Sequence, residues 1–378
     1  MVAALDNLRV LDFSRILAGP FATMQLADLG ATVTKVERPL TGDDTRSWGP
    51  PYDARGQATY FQAVNRNKDT IVLDLTDQRD RAEARRLAVS ADIVVENFRP
   101  GLMAKFGLDY DQLKHDNAGL IYCSVTGFGR GPGADLPGYD LLIQALGGLM
   151  SITGSPEGEP QKVGVALVDV LAGLFATVGI LAALQHRTAT GEGQRVDVNL
   201  LSCLLAGLAN QASAYTSAGV VPTRMGNQHP SIAPYELVAC AEGNLVVAVG
   251  NDRQFAALCE VLGAPWLASD ASYATNPARV QHRKELRAEL ERLLAAKTAG
   301  DWTKVLSEAR VPAGVVNDIA GAFELADNLG LDPIVTLPRD DGGSVSLCRN
   351  PINLSATPPV YRSAPPDFPK IPSPQCNS

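Results

Sequence analysis

One carboxylate stands alone in a long apolar stretch of this sequence. Asp169, in GVALVDVLAGLF, is the only charged residue between Val163 and Gln185. The stretch is nearly long enough to cross a bilayer, but a carboxylate there would cost about 2.5–3.5 kcal/mol. We therefore predict a buried helix that begins near Asp169. An aspartate at a helix start can cap the helix, whereas a partly desolvated carboxylate can be a nucleophile. The pattern alone leaves both interpretations open.

Basic residues follow predicted strand ends or lie in loops rich in glycine and asparagine. The loops are 42–51 (GDDTRSWGPP) and 96–101 (ENFRPG), and the basic residues are Arg38, Arg46, Arg99 and Lys105. In open α/β sheets the carboxyl ends of the strands border the binding crevice. Guanidinium and ammonium groups placed there suit the phosphates of a nucleotide. The alternative interpretation is ordinary solvated charge.

Several catalytic signatures are absent from the sequence. It contains no GxSxG, HExxH or GxxxxGK[ST], and its first strand–turn–helix lacks GxGxxG although Glu37 ends the second strand. None of the four histidines lies near a cysteine or an acid at metal-ligand spacing. We therefore expect neither a nicotinamide cofactor nor a metal site.

The elements that must position these residues alternate between strand and helix. Apolar runs predict strands at 8–13, 32–37, 70–75, 93–96, 119–125 and 195–199. Helical patterns fall at 21–29, 77–91, 139–150, 170–187 and from 200 to about 214. This alternation predicts an α/β fold with an open, doubly wound (Rossmann-like) parallel sheet in a large domain, residues 1–215.

The pattern changes near Gly219. A hairpin at 236–240 and 244–249, followed by helices at 252–262, 279–296 and 300–309, predicts a smaller α+β domain at 225–325. Residues 326–378 would return to the large domain. Their end is proline-rich from Pro358 and should be extended or disordered.

Composition limits the partners and the compartment. The formal net charge is 33 − 41 = −8, which disfavours nucleic acid and anionic membranes as partners. The six cysteines form no CxxC, and the N-terminus has no basic region followed by an apolar stretch. We therefore expect a cytoplasmic protein that binds neither nucleic acid nor membrane.

From about Leu8 to Pro366 the sequence resembles the class III CoA-transferase family. The matching stretches are VLDFSRILAGPFATMQLADLGATVTKVERP, NRNKDTIVLDL, VENFRPG, IYCSVTGFG, GYDLLIQALGGLMSITG, GVALVDVLAG and TGEGQRVDVNLL. Within the family it is most similar to the succinyl-CoA:glutarate type, through GDDTRSWGPP, HPSIAPYE and VGNDRQFAALC. The resemblance implies that coenzyme A and acyl-CoA are substrates and that no cofactor is tightly bound. It also implies an interlocked homodimer.

The resemblance further implies a role for individual residues. Asp169 matches the family nucleophile, which forms a mixed anhydride and then an enzyme–CoA thioester. Residues matching the adenine-binding positions are Arg38, Leu73, Asp74, Leu75 and Thr76. Those matching positions beside the phosphates are Asn97, Phe98, Arg99 and Lys105. Tyr139 and Asp140 match a stretch that borders the thiol arm.

The acceptor is expected to be a short dicarboxylate. Its distal carboxylate would need a cationic partner once desolvated, and the two loops matching the glutarate type offer Arg46 and His229. In the family a mobile glycine-rich loop covers the intermediate, and its place is taken here by Gly226, Asn227, Gln228 and His229. This segment has only one glycine, so it departs from the family pattern.

Two other functions compete with CoA transfer. An α-methylacyl-CoA racemase, from the same superfamily, needs a histidine and an aspartate as bases, but this chain has Tyr139-Asp140 where the racemases have His-Asp. Tyrosine, with a pKa near 10, is a poor base. A CoA-binding protein without turnover is the second alternative, because the end DFPKIPSPQCNS departs from the helical LGxHTxEVL-like end of the family.

Overall fold

A computed structural model describes residues 2–340 and 342–369 of the chain. These residues divide into two compact units. The first unit comprises 2–149, 162–220 and the described part of 332–369, and the second comprises 150–161 and 221–331. The segment 150–161, which the sequence analysis placed in the large domain, thus belongs to the second unit.

A parallel sheet forms the centre of the first unit, with the strand order β3-β2-β1-β4-β5-β6 in the described part of the chain. Its strands are β1 (Arg9–Asp12), β2 (Thr32–Glu37), β3 (Lys68–Val72), β4 (Ile93–Glu96), β5 (Ile121–Thr126) and β6 (Arg195–Asn199). All neighbouring pairs are parallel, and the order reverses between β1 and β4. The predicted doubly wound α/β fold is confirmed.

Helices connect these strands or follow the last of them. They are α1 (Ala18–Asp28), α2 (Thr59–Gln62), α3 (Gln78–Ser90), α4 (Leu102–Lys105), α5 (Tyr110–Leu113), α6 (Asp140–Leu146), α7 (Leu149–Ile152), α8 (Leu167–Thr190), α9 (Leu200–Gly207) and α10 (Ala209–Ala218). Local capping explains several starts. For example, Asp77 accepts hydrogen bonds from the first N–H groups of α3. The single helix predicted at 139–150 is instead α6 followed by α7.

The long helix α8 packs one face into the core. Val168, Ala172, Ala176, Ile180 and Ala183 are buried there, in the same cluster as apolar residues of α1, β4 and β5. Gly173 lets α1 approach closely, because a Cβ at this position would lie 2.7 Å from the Ala18 carbonyl oxygen. The contact matters for the site because the first turns of α1 and α8 carry residues of the same cavity.

The opposite face of α8 is apolar and exposed. Its exposed residues are Leu174, Phe175, Val178 and Leu181. By length and composition alone α8 also qualifies as a membrane-spanning helix, the only such helix among the described residues. The core helix of a soluble protein passes the same test.

Buried charges hold the turn between β1 and α1. The Lys35 ammonium donates to the Ser14 carbonyl oxygen (2.8 Å) and pairs with Asp43 at 2.9 Å. Asp12 accepts the Ser14 N–H (2.9 Å), and Asp43 accepts the Ile16 N–H (3.3 Å). Ile16 has a φ of 69°, which is unusual for a β-branched residue. Because buried ions are costly unless paired and hydrogen-bonded, these partners fix the turn in one conformation.

The second unit has its own sheet and core. β7 (Tyr235–Ala239), β8 (Asn244–Ala248) and β9 (Ala313–Val315) pair antiparallel. Its helices are α11 (Asp252–Val261), α12 (Asn276–Gln281), α13 (Arg283–Leu294), α14 (Ala299–Glu308) and α15 (Ile319–Asn328). Phe255, Leu290 and Leu306 are buried together in its core. The helix predicted at 279–296 is divided into α12 and α13 at His282.

The returning segment contains a hairpin that the sequence analysis did not predict. It consists of β10 (Ile334–Pro338) and β11 (Ser344–Cys348). The following residues run without helix through Asp367, and Arg362 donates to the carbonyl oxygens of Gly30 (3.1 Å) and Ala31 (2.6 Å). The remainder of the proline-rich end, 370–378, lies outside the described residues.

Candidate active site

Asp169 is the third residue of α8 and not its cap, because the N-cap position belongs to Ala166. Among the described residues its carboxylate accepts no hydrogen bond. It is partly buried and lines a cavity of about 220 Å³. The capping interpretation is therefore wrong, whereas the nucleophile interpretation stays a prediction, for a carboxylate whose oxygens accept no hydrogen bond among the described residues.

Asp140, the first residue of α6, supplies the missing cap of α8. One of its oxygens, Oδ2, accepts the N–H groups of Val168 (2.7 Å) and Asp169 (3.2 Å). The other, Oδ1, accepts a hydrogen bond from Gln144 Nε2 (2.6 Å), and Gln144 Oε1 accepts the Val163 N–H (2.9 Å). Asp140 thus positions the backbone of Asp169 from 29 residues away and does not itself line the cavity.

The surroundings of Asp169 make it an unusually basic carboxylate. Burial, and next the negative charge of Asp140, raise the pKa of Asp169 to about 7. A carboxylate with this pKa is a better nucleophile than one near 4, and much of it is ionised at neutral pH. A carboxylate in these surroundings is suited to act as a nucleophile in covalent catalysis.

The cavity lies beyond the carboxyl ends of β1, β4 and β5. Among the predicted site residues it brings together Asn97, Phe98, Arg99, Tyr139 and Asp169. The start of α1 and the loop between β5 and α6 form the rest of its wall. Gly127 and Gly138 close this loop, since a Cβ on Gly138 would lie 2.4 Å from the Gly127 Cα.

A second cavity, of about 310 Å³, collects the residues matched to adenine binding. Arg38, Phe98 and the segment Leu73, Asp74, Leu75 and Thr76 line it, together with apolar side chains such as Phe13 and Phe106. The segment is fixed locally, because Asp74 Oδ1 accepts the Thr76 N–H (2.9 Å). This cavity lies at the ends of β1, β2 and β4, and Phe98 borders both cavities.

Two predicted basic residues line neither cavity. Lys105 is exposed at the end of α4, whose Leu102 lines the second cavity. The Arg46 guanidinium pairs through two hydrogen bonds with Glu37 (2.7 and 2.6 Å) and lies 3.7 Å from the Phe61 ring centroid. Because these contacts occupy Arg46, we no longer assign it to the distal carboxylate of an acceptor.

The segment Gly226, Asn227, Gln228 and His229 belongs to the second unit and has local contacts there. Gly226 donates its N–H to the Gly154 carbonyl oxygen (3.1 Å), and the Gln228 amide donates to Glu236 (3.0 Å). His229 Nδ1 accepts the Ser231 N–H (3.1 Å). Asn227 is exposed.

Tyr60, in α2, is a site residue that the sequence analysis missed. Burial raises the pKa of its phenol, and the negative charges of Asp169 and Asp140 raise it further, so Tyr60 lies within electrostatic range of both carboxylates. Its ring lies edge-on to Trp48 at 5.4 Å. No motif marks Tyr60, because its proximity depends on how the long segment between β2 and β3 folds back. Among the described residues, no group of three or more His, Cys, Asp or Glu side chains could hold a metal ion.

A doubly wound sheet, a basic carboxylate that accepts no hydrogen bond among the described residues and an adjoining cavity fit a group-transfer enzyme. The model of the family described as "CoA-transferase family III" matches residues 5–369 of this chain. The chain therefore belongs to that family, and the predicted enzyme class, CoA-transferase, is confirmed.

Similar proteins agree with this assignment. A succinate–glutarate CoA-transferase of Agrobacterium fabrum is 46% identical over 363 residues, which cover 94% of this chain and 91% of that protein. An acetyl-CoA:oxalate CoA-transferase of Acetobacter aceti is 40% identical, covering 93% and 89%. The crystal structure of a CAIB/BAIF family protein from Brucella suis is 44% identical and has a TM-score of 0.85 with 97% of each chain covered. These relatives support the transferase and not the racemase alternative.

Proposed function

We propose that this chain moves coenzyme A from succinyl-CoA to a short dicarboxylic acid such as glutarate, through covalent intermediates on Asp169. The observation that carries the proposal is the free, basic carboxylate of Asp169 in a cavity that adjoins a nucleotide-sized one. CoA and its thioesters act as substrates, and no tightly bound cofactor takes part.

The proposed reaction exchanges one activated carbonyl for another. The Asp169 carboxylate attacks the thioester carbonyl and expels CoA thiolate, which leaves a mixed anhydride. The thiolate then attacks the Asp169 carbonyl carbon, so the donor acid leaves as a carboxylate and an aspartyl–CoA thioester remains. The acceptor carboxylate attacks this thioester, and the two steps run in reverse to release the new acyl-CoA.

Each step passes through an oxyanion that backbone N–H groups must stabilise. Leu17 and Ala18, at the start of α1, line the same cavity as Asp169. The positive end of the α1 dipole favours negative charge at this place. Water must be excluded while the anhydride exists, since hydrolysis would waste the thioester.

A dicarboxylate acceptor is supported by the names of similar proteins. Glutarate, oxalate, mesaconate and citramalate, named for four of them, all carry two carboxylates. The cavity offers a candidate partner for the distal carboxylate, because Arg99 lines it and its guanidinium has no partner among the described residues. Arg99 takes the role first considered for Arg46.

We expect the wild-type enzyme to prefer glutarate to pentanoate and succinate to butyrate, by about ten- to a hundredfold in kcat/KM. An unpaired charged group costs about 1.5–3 kcal/mol, which corresponds to that range. The measurement is the initial rate of transfer, with succinyl-CoA as the donor for glutarate and pentanoate. Glutaryl-CoA is the donor for succinate and butyrate. Equal use of the acids in each pair would show that no distal-carboxylate pocket exists.

The Arg99→Gln variant separates two roles for this residue. If Arg99 pairs with the distal carboxylate, the variant loses kcat/KM for glutarate and keeps it for pentanoate. An equal loss with both acceptors, accompanied by a higher KM for acyl-CoA, would assign Arg99 to a CoA phosphate, as the family resemblance implies.

We also propose that the chain forms a homodimer in the cytoplasm, without membrane or nucleic acid partners. The apolar face of α8 exposes Leu174, Phe175 and Val178, and a second copy of the chain would bury this face in a dimer. Light scattering during gel filtration should give twice the chain mass of 40.0 kDa. Phe175→Glu should shift the distribution toward monomer, whereas exposed Glu192→Gln should not. A monomeric wild-type protein at micromolar concentration would contradict the dimer.

A further inference from the structure

Arg15 has a guanidinium group without a protein partner. It is the third residue of the turn that joins β1 and α1, and its side chain is half-buried. The guanidinium carbon lies 4.8 Å from the centroid of the Phe98 ring, which covers one face. Among the described residues, no side chain or carbonyl accepts a hydrogen bond from this guanidinium. Its edge N–H donors are therefore available to a ligand.

A second guanidinium lies close by. Burial, and next the positive charge of Arg38, lower the pKa of Arg15. Both residues line the cavity of about 310 Å³, and Arg38 is paired with Asp44 whereas Arg15 has no such partner. The negative charges of Asp44 and Asp43 offset part of this repulsion, and an anionic ligand beside the unpaired Arg15 guanidinium would offset more of it.

Several hydrogen bonds hold the backbone of Arg15 in place. Asn97 accepts the Arg15 N–H at 2.8 Å and donates to the Arg15 carbonyl oxygen at 2.8 Å. The neighbouring Ser14 and Ile16 are fixed by the buried charges described above. Asn97, expected beside the phosphates, thus acts on Arg15 through the backbone. A cation whose backbone is clamped on both sides and whose head group is free is preorganised for binding.

The place of Arg15 identifies the part of the ligand that it would meet. Arg15 lines the cavity matched to adenine, and the next residue, Ile16, lines the cavity that contains Asp169. A CoA molecule with its base in the first cavity and its thioester in the second must pass this junction. In CoA the 5′-diphosphate joins the adenosine to the pantetheine arm, whereas the 3′-phosphate branches away from that path.

We infer that Arg15 binds the 5′-diphosphate of coenzyme A as the substrate passes from one cavity to the other. The inference rests on the proposed function, because it requires CoA as the ligand. It adds a specificity-determining residue for the nucleotide. Its alternative is that Arg15 only stacks on Phe98 and is otherwise solvated.

The test is calorimetric titration of the full-length protein with CoA and with 3′-dephospho-CoA. Arg15→Gln removes the charge and the forked donors but leaves the backbone clamp. It should weaken binding of both ligands by about ten- to a hundredfold, the range for hydrogen bonds to charged groups. Arg15→Lys, which keeps the charge but not the fork, should lose less. Arg253→Gln, an exposed arginine of the second unit, serves as the matched control.

The outcomes are distinguishable. An equal fold-loss with CoA and 3′-dephospho-CoA supports the diphosphate assignment. A loss confined to CoA would assign Arg15 to the 3′-phosphate, and unchanged binding of both ligands would leave it as a stacking residue. Either result overturns the inference. If the wild type binds CoA and Arg15→Gln binds it equally well, only this inference is contradicted. If the wild type does not bind CoA, the proposed function is contradicted.

Discussion

Asp169→Ala should lower CoA transfer by at least about 10⁴-fold, the order seen when a nucleophile that acts as part of a unit is removed. CoA binding should change little, because the carboxylate lines only the reactive end of the two cavities. The thermal midpoint should not fall. Burial, and next the charge of Asp140, raise the pKa of Asp169 from 3.8 to about 7, so the folded state disfavours the ionised form. This destabilisation develops as the pH rises from near 4 through 7, and alanine removes it.

A covalent trap tests the same assignment directly. The wild-type enzyme, incubated with succinyl-CoA and then with hydroxylamine or borohydride, should be modified at Asp169, as read by peptide mass spectrometry. The alanine variant should give no such product. Asp301→Ala is a matched control, since Asp301 is likewise the third residue of a helix, in this case α14. Substantial transfer by Asp169→Ala, or trapping at another residue, would contradict the mechanism.

The sequence predicts the sheet well because its strands are short segments rich in valine and isoleucine between polar turns. The bounds of β2, β4 and β6 coincide with the prediction. The start of α8 does not, since the prediction began that helix at Val170 and the structure begins it at Leu167. The reason is physical: the residue that caps α8 is Asp140, and no local pattern reveals a cap supplied from so far away.

In the candidate site too, local sequence patterns revealed some residues and missed those that depend on contacts between distant segments. Motif positions indicated Asp169 and half of the residues that line the second cavity, because these lie at strand ends or in one continuous segment. Arg46 and Arg15 are both arginines in loops. Their charge alone could not show that Arg46 forms a salt bridge with Glu37, whereas the Arg15 guanidinium has no such partner among the described residues. That difference depends on side-chain packing of the loops that follow β1 and β2, which neither periodicity nor spacing encodes.

Asp140→Asn should move the acid limb of the kcat/KM profile to lower pH. The limb reports ionisation of Asp169 in the free enzyme, with a midpoint near 7 in the wild type. Asparagine has nearly the same volume and one acceptor oxygen for the α8 N–H groups, but it lacks the negative charge that contributes to the raised pKa. Only burial then opposes ionisation, so the midpoint should fall below about 7. The plateau rate should also fall, because a less basic carboxylate is a weaker nucleophile.

Asp140→Ala removes the cap as well as the charge, and the two variants therefore separate positioning from electrostatics. We expect about a hundredfold loss of kcat, the effect of a displacement near 1 Å at a reacting group, and a loss of about 0.5–2 kcal/mol in stability. The control is Asp318→Ala, which removes the cap of α15 and should affect stability alone. An unchanged midpoint in Asp140→Asn would show that Asp140 does not tune Asp169. If Asp140→Ala lost only stability, its hydrogen bonds to Val168 and Asp169 would be structural, and the reactive geometry of Asp169 would have to come from α8 itself.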